Sequence, residues 1–180
     1  MAEQTLGSER IYDGKVVRLR VDRIRLDNGH ETKREVVEHN GAVAMVPVDA
    51  AGRIVLVRQF RTAAGKALLE LPAGTLDNGE APEAAVQREL QEEIGYRAAQ
   101  VRRLAGFFVA PGYSTEFIHV YLCEGLSESK LDADDDEQIE VERYTLAEAL
   151  AMIADGRICD AKSIVGLLAY ARDHSPPPVG

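Results

Sequence analysis

The sequence predicts one α/β domain built on a mixed sheet, with a small antiparallel β extension before it. Strand-like and helix-like segments are mixed along the chain without a regular β-α-β alternation, which favours a mixed sheet. The chain has 180 residues, of which 46% are hydrophobic, and this is enough for one substantial core. No internal repeat is visible, so we expect a single main domain.

The first forty residues predict strands rather than an independent domain. Residues 1–8 are polar and are expected to be flexible, and residues 9–39 are assigned to the extension. Val17, Leu19 and Val21 alternate with polar residues, which is typical of a half-buried strand. Asp27-Asn28-Gly29 predicts a hairpin turn before the next strand. Two or three strands do not easily form a core of their own.

Residues 40–172 predict the main α/β domain. The apolar segments predict strands at 42–48, 54–60, 101–109, 117–123 and 139–144, and helices at 81–94, 146–155 and 161–172. A polar, acidic segment at 127–137 predicts a loop, and the proline-rich residues 173–180 predict a flexible tail.

The composition excludes several classes of function. The net charge is −9 and the chain has no basic block, which argues against a nucleic-acid groove. An acidic enzyme can still bind an anionic substrate if metal ions supply the positive charge. Cys123 and Cys159 lie far apart, so we expect reduced thiols. Residues 1–10 are polar and no apolar run approaches 18 residues, so we expect a soluble cytoplasmic protein with no membrane partner.

The helix predicted at 81–94 carries an acidic cluster. Glu89 and Glu93 are one turn apart, and Glu92 lies three residues after Glu89, so the three side chains can converge. Such close carboxylates repel each other, and a bound cation relieves the repulsion. Carboxylate oxygens are hard ligands that suit Mg²⁺ or Mn²⁺. Arg88 adjoins the cluster, and its planar guanidinium can orient a carboxylate.

This helix is part of a longer motif. Gly74 is followed after five residues by Glu80, and after seven more by the run from Arg88 to Tyr96, which gives G-x5-E-x7-R-E-L-x-E-E-x-G-Y. The pattern resembles the Nudix box, whose family cleaves diphosphates linked to another moiety with the help of divalent metal. A solvated acidic helix face is the alternative, but it does not account for Gly74, Glu80 and Gly95 at these offsets. The resemblance implies an α/β/α sandwich.

Further segments resemble the ADP-ribose pyrophosphatase branch of that family, and they occur at 34–39, 57–61, 69–74, 110–113 and 156–163. This resemblance implies hydrolysis of ADP-ribose to AMP and ribose 5-phosphate. Two alternatives stay open. One is a different nucleoside diphosphate derivative, such as a sugar nucleotide, NADH or a dinucleoside polyphosphate. The other is a noncatalytic Nudix module that senses a nucleotide.

The resemblance also implies site residues. For the metal, it implies the carboxylates of Glu89, Glu92 and Glu93 and the backbone carbonyl of Ala73. For the substrate, Arg34 and Arg58 are candidates to bind phosphate or ribose oxygens. Glu70 is a candidate to accept a hydrogen bond from the adenine amine or a ribose hydroxyl, and Gly112 lies in the matching segment 110–113. Either arginine can instead pair with a nearby glutamate, and Glu70 can be a surface residue before a turn.

The resemblance implies an acidic residue as general base on a mobile loop near this point of the chain, and here the loop comprises residues 132–141. Glu137 is the first candidate because it directly precedes a strand, and Asp135 is the second. A solvated loop without a catalytic role is the alternative, and a metal-activated water needs little help from a base. Arg88 and Glu92 complete the candidate catalytic set.

The N-terminal strands of this branch typically exchange across a homodimer. The resemblance therefore implies a homodimer, with Arg18, Arg20 and Arg25 as interface or cross-subunit ligand candidates. The alternative is that these arginines face water along a strand.

Overall fold

The computed structural model describes residues 2–131 and 138–174. The strands are β1 (Glu3–Asp13), β2 (Arg18–Leu26), β3 (Glu31–Glu38), β4 (Ala42–Pro47), β5 (Ile54–Arg61), β6 (Lys66–Glu70), β7 (Ala73–Thr75), β8 (Tyr96–Phe108), β9 (Phe117–Glu128) and β10 (Ile139–Tyr144). The helices are α1 (Pro82–Glu93), α2 (Leu146–Ala154) and α3 (Ala161–His174). No helix in the described ranges is long and apolar enough to cross a membrane.

The chain divides into two compact units. The N-terminal unit comprises Met1–Gly41 and Phe107–Phe117, and the main unit comprises Ala42–Gly106 and Ile118–Gly180. The first boundary lies two residues from the predicted one. The inclusion of Phe107–Phe117 in the N-terminal unit was not predicted, because sequence order places this segment inside the main domain.

The N-terminal unit is a three-stranded antiparallel sheet in the order β1-β2-β3. Its first strand begins at Glu3, which pairs with Leu26, so the prediction that residues 3–8 are flexible was wrong. These residues lack apolar alternation, and backbone pairing with β2 is what orders them. The backbone of Val37 also pairs with the 113–115 segment, since its N–H donates to the Tyr113 carbonyl at 2.7 Å.

The main unit contains a four-stranded sheet in the order β7-β4-β9-β8 and a three-stranded sheet in the order β10-β5-β6. Strand β4 runs parallel to β9 and antiparallel to β7, which confirms the predicted mixed sheet. Every residue of β4 is buried. Val43 and Met45 join the core cluster that contains Val86 and Leu90 of α1. Val46, of opposite parity on the strand, lies against Gly166 of α3.

Helix α1 agrees with the predicted range to within one residue at each end. Pro82 occupies its first turn, where the missing N–H costs no hydrogen bond. Glu83 lies in the same turn, at the positive end of the helix dipole. The helix ends at Glu93, and Gly95 follows with a φ of 75°, a left-handed conformation that glycine adopts without strain.

Candidate active site

The site is built on two buried glutamates of α1. Glu89 and Glu93 are each 8% exposed, and they lie on the same side of the helix as the apolar residues Val86 and Leu90. This follows from helical spacing, because residues three and four apart share a face. Burial of a carboxylate is costly unless hydrogen bonds or cations compensate for the lost water. Both carboxylates therefore need hydrogen-bond donors or cations close to them.

Strand β7 brings backbone against both carboxylates. The N–H of Ala73 donates to Glu93 Oε2 at 3.1 Å. A Cβ atom added to Gly74 would lie 1.8 Å from Glu89 Oε1, so the absence of a side chain at residue 74 is what leaves room for that carboxylate. The glycine at the start of the motif thus has a direct steric reason.

Arg88 connects three carboxylates of the motif. Its Nη2 lies 2.9 Å from Glu80 Oε2, and its Nη1 lies 2.6 Å from Glu89 Oε1 and 3.0 Å from Glu92 Oε2. The hydrogen bond with Glu80 is the main cause that raises the pKa of Arg88, and it also lowers the pKa of Glu80. Arg88 therefore orients the acidic cluster, as predicted from its planar guanidinium.

The donor atoms fit a hard divalent cation. The carboxylate oxygens of Glu89, Glu92 and Glu93 are the ligand type that Mg²⁺ and Mn²⁺ prefer. Together with Glu80, these side chains supply four acidic groups against the single basic group of Arg88. Within residues 2–131 and 138–174, however, no three His, Cys, Asp or Glu side chains already form a cation site. The chemistry of the predicted ligands is suitable for such a cation.

Glu70 is buried, which overturns the alternative of a surface residue before a turn. It is 1% exposed, and its Oε2 lies 2.7 Å from both Arg61 Nη2 and Lys162 Nζ. Burial alone would raise the pKa of this carboxyl, but the bonds from Arg61 and Lys162 outweigh burial and hold the pKa below its ordinary value. Glu70 thus connects β6 to β5 and α3.

Comparison with family models matches residues 38–164 to the NUDIX domain, and residues 3–37 to the nucleoside diphosphate sugar hydrolase N-terminal domain. The chain belongs to the Nudix family. Nudix hydrolases generally use divalent cations, in agreement with the donor set on α1.

Two curated Nudix relatives cover most of the chain. An ADP-ribose pyrophosphatase of Bacillus subtilis (strain 168) is 42% identical over 165 residues, which are 91% of this chain and 89% of the relative. A GDP-mannose pyrophosphatase of Yersinia enterocolitica serotype O:8 is 40% identical over 160 residues, which are 82% of this chain and 83% of the relative. The names of these relatives differ in the nucleotide sugar and agree in the pyrophosphatase activity.

A solved structure described as an ADP compounds hydrolase has the same fold. It superposes with a TM-score of 0.86 and covers 97% of both chains at 21% identity. This likeness confirms the predicted Nudix-type α/β/α sandwich with its N-terminal β extension.

The two arginines predicted to bind substrate both pair with glutamates. Arg58 Nε lies 2.7 Å from Glu142 Oε1 on the adjacent strand β10, and this bond lowers the pKa of Glu142. Arg34 Nη2 lies 2.8 Å from Glu3 Oε1 in the N-terminal unit. Both arginines thus show the pairing that the sequence left as an alternative, and their role in binding substrate stays a prediction.

The remaining candidates of the N-terminal unit are one glycine and three arginines. Gly112 lies in an exposed turn, where a Cβ would meet no atom within 4 Å. Arg18 Nη2 donates to Asn40 Oδ1 at 2.7 Å, Arg20 pairs with Asp22 and Glu38, and Arg25 Nη2 lies 2.6 Å from Glu31 Oε1. Arg20 and Arg25 thus have partners on their own sheet, and the partner of Arg18 follows the last strand of that sheet.

The two candidate bases, Glu137 and Asp135, lie outside the residues that the structure describes. Their assignment therefore stays a prediction from the sequence. A cavity of about 460 Å³ in the main unit, lined by residues such as Asp49, Arg53, Tyr96 and Arg143, includes none of the box glutamates.

Sequence reasoning gave no role to the start of α3. Asp160 Oδ1 accepts from the backbone N–H of Ser163 at 3.1 Å, as an N-cap residue does. Lys162 and the fully buried Ser163 face the segment that leads into the box. The run Asp160-Ala161-Lys162-Ser163 was part of the resemblance to the ADP-ribose branch. Lys162 and Ser163, however, contact residues that lie 92 positions earlier in the sequence, and no local pattern reveals these contacts.

Proposed function

We propose that this protein hydrolyses the pyrophosphate bond of ADP-ribose to AMP and ribose 5-phosphate with the help of Mg²⁺. The observation that carries the proposal is the pair of buried glutamates, Glu89 and Glu93, against the backbone of Ala73 and Gly74. The 42% identity to the ADP-ribose pyrophosphatase of Bacillus subtilis supports the choice of substrate.

The residues proposed to hold the cation are Glu89, Glu92 and Glu93 through their carboxylates, with the carbonyl of Ala73. Mn²⁺ has the same preference for hard oxygen ligands and is expected to substitute. A cation bound there would polarise the pyrophosphate and lower the pKa of an attacking water.

The protein's own groups prepare this site. Arg88 holds Glu89 and Glu92 through one nitrogen, and Glu80 fixes the other end of the guanidinium. The amide of Ala73 fixes Glu93. In the reaction, the oxygen of water bonds to one phosphorus atom and the bridging P–O bond breaks. The proton of the water passes to Glu137 or Asp135, and AMP and ribose 5-phosphate leave.

A second candidate substrate is another nucleoside diphosphate sugar. The GDP-mannose pyrophosphatase of Yersinia enterocolitica supports it, as does the name of the model that matches residues 3–37. The box itself contacts the part that these substrates share, which is the pyrophosphate. A noncatalytic sensor is disfavoured because Glu89, Glu92 and Glu93 are all present.

The oligomeric part of the proposal is a homodimer. The exposed apolar residues Ile11, Tyr12 and Val16 of the N-terminal unit support it, since large exposed apolar groups in one region are typical of interaction surfaces. Light scattering on a size-exclusion column measures the mass directly, and a monomer at micromolar concentration would overturn this part alone.

A substrate panel tests the proposed function. We would compare kcat/KM for ADP-ribose, GDP-mannose, NADH and diadenosine polyphosphates, each with Mg²⁺ and with EDTA. The proposal predicts Mg²⁺-dependent cleavage with ADP-ribose preferred. A preference for GDP-mannose would support the second candidate, and no cleavage by folded protein would favour the sensor.

A further inference from the structure

The chain between β6 and β7 leaves one sheet and enters the other. The pairing of β6 with β5 ends at Glu70, and the pairing of β7 with β4 begins at Ala73. Leu71 and Pro72 therefore lie outside both strand ladders, although Leu71 is fully buried. A buried backbone N–H needs a hydrogen-bond partner, and at Leu71 no strand supplies one.

Helix α3 contacts this crossing in three ways. Ser163 Oγ accepts the N–H of Leu71 at 2.7 Å, and Lys162 Nζ lies 2.7 Å from Glu70 Oε2. One turn further along, a Cβ added to Gly166 would lie 2.5 Å from Leu71 Cδ1, so a side chain at that position would have to displace Leu71. These three residues of α3 share one face of the helix.

The other end of the same segment carries the candidate metal site. Two residues after Leu71, Ala73 donates its N–H to Glu93, and Gly74 lies directly against the carboxylate of Glu89. Pro72 has no N–H, and its carbonyl accepts from the N–H of Met45 in β4. The segment from Glu70 to Gly74 is thus short, stiffened by proline and held at both ends.

We propose that Lys162, Ser163 and Gly166 are positioning residues that fix this segment and thereby place Ala73 and Gly74 against Glu93 and Glu89. The expected loss of activity rests on the proposed function. The expected loss of cation affinity does not depend on which nucleotide is the substrate.

The first test is cation affinity without substrate, measured by Mn²⁺ electron paramagnetic resonance. Ser163→Ala removes the acceptor for the Leu71 N–H, and Lys162→Met removes a cation from Glu70. Groups that hold metal ligands in place typically change metal affinity or activity by about 10–100-fold when they are lost. We expect the Kd for Mn²⁺ to rise by about tenfold in each variant, with a similar loss of kcat/KM.

Matched variants separate positioning from general stability. Lys162→Arg keeps the positive charge and should restore most of the Mn²⁺ affinity that Lys162→Met loses. Met152→Ala removes a buried side chain from α2 and should lower Tm without raising the Kd of the folded protein. Leu168→Ala changes a half-exposed side chain on α3 itself and should leave both quantities unchanged.

Gly166→Ala provides a second route if Ser163→Ala does not fold. The new methyl group has to displace Leu71, so the proposal again predicts weaker Mn²⁺ binding. The proposal would be overturned if Lys162→Met bound Mn²⁺ with wild-type affinity and if Ser163→Ala, or Gly166→Ala in its place, did the same with only Tm reduced. If ADP-ribose is not cleaved but the Mn²⁺ Kd shifts as expected, the substrate assignment fails and the positioning role stands.

Discussion

Gly74→Ala tests the steric relation on which the site depends. A Cβ at residue 74 would lie 1.8 Å from Oε1, 1.9 Å from Cδ and 2.4 Å from Oε2 of Glu89. Real Cβ atoms essentially never approach a heavy atom within 3.0 Å, so the carboxylate has to move by at least about 1.2 Å. The moving group is the end of a flexible side chain, and we therefore expect the fold to persist.

The expected loss follows from this displacement. A misplacement of about 1 Å in a catalytic site can reduce the rate by roughly 100-fold. Overpacking of this kind costs about 1–3 kcal/mol of folding free energy, which corresponds to a fall in Tm of roughly 2–12 °C for a chain of this size. Activity should thus fall far more than stability.

The assay is kcat/KM with Mg²⁺ alongside Tm, with two comparison variants. Gly7→Ala adds a methyl group in β1 where no atom lies within 4 Å, and it should behave as wild type. Glu89→Asp shortens the carboxylate side chain, so in the double variant with Gly74→Ala the two losses should be less than additive. Wild-type kcat/KM in Gly74→Ala, or strict additivity in the double variant, would refute the steric argument.

Three further predictions concern individual carboxylates. Glu93→Gln should fold but lose at least about 100-fold in kcat and bind Mn²⁺ more weakly, because an amide is a poor ligand for a hard cation; full activity would remove Glu93 from the site. Glu70→Gln should cost about 1–3 kcal/mol at neutral pH, since it weakens the charge-assisted bonds of this buried side chain to Arg61 and Lys162, while Lys162 keeps Asp160 as a partner. The pKa of Glu70 is lowered from 4.5 in the folded state, so the contribution of Glu70 to the free energy of unfolding is present above pH 4.5 and disappears as the pH falls through the folded pKa. Urea unfolding of the wild type and of Glu70→Gln at several pH values should show the difference in unfolding free energy shrinking in acid. A difference that stays constant with pH would contradict this argument. Of Glu137→Gln and Asp135→Asn, the one that removes the base should lower kcat and abolish the acidic limb of the pH–rate profile, whereas unchanged profiles in both would dismiss both residues.

The box helix could be predicted from the sequence because its determinants are local. Pro82 at the start, Gly95 after the end and the spacing of Val86, Leu90 and the glutamates all lie within one short segment. The strand Ile139–Tyr144 was predicted with the observed bounds for the same reason.

The features that were missed depend on distant partners. Glu70 is a polar residue before a turn in the sequence, and its burial follows from Arg61 and from Lys162, which is 92 residues away. The order of residues 3–8 comes from pairing with β2, and the membership of Phe107–Phe117 in the N-terminal unit comes from backbone bonds to Val37. Neither relation leaves a periodic signal in the sequence.

The most direct test of the account is product analysis of ADP-ribose hydrolysis by chromatography and mass spectrometry, with Mg²⁺ or EDTA, in the wild type and in Glu93→Gln. The account predicts equal amounts of AMP and ribose 5-phosphate from the wild type with Mg²⁺, and little product in EDTA or from the variant. Undiminished cleavage in EDTA, or equal activity of the variant, would contradict the central claim that the α1 glutamates bind the catalytic cation.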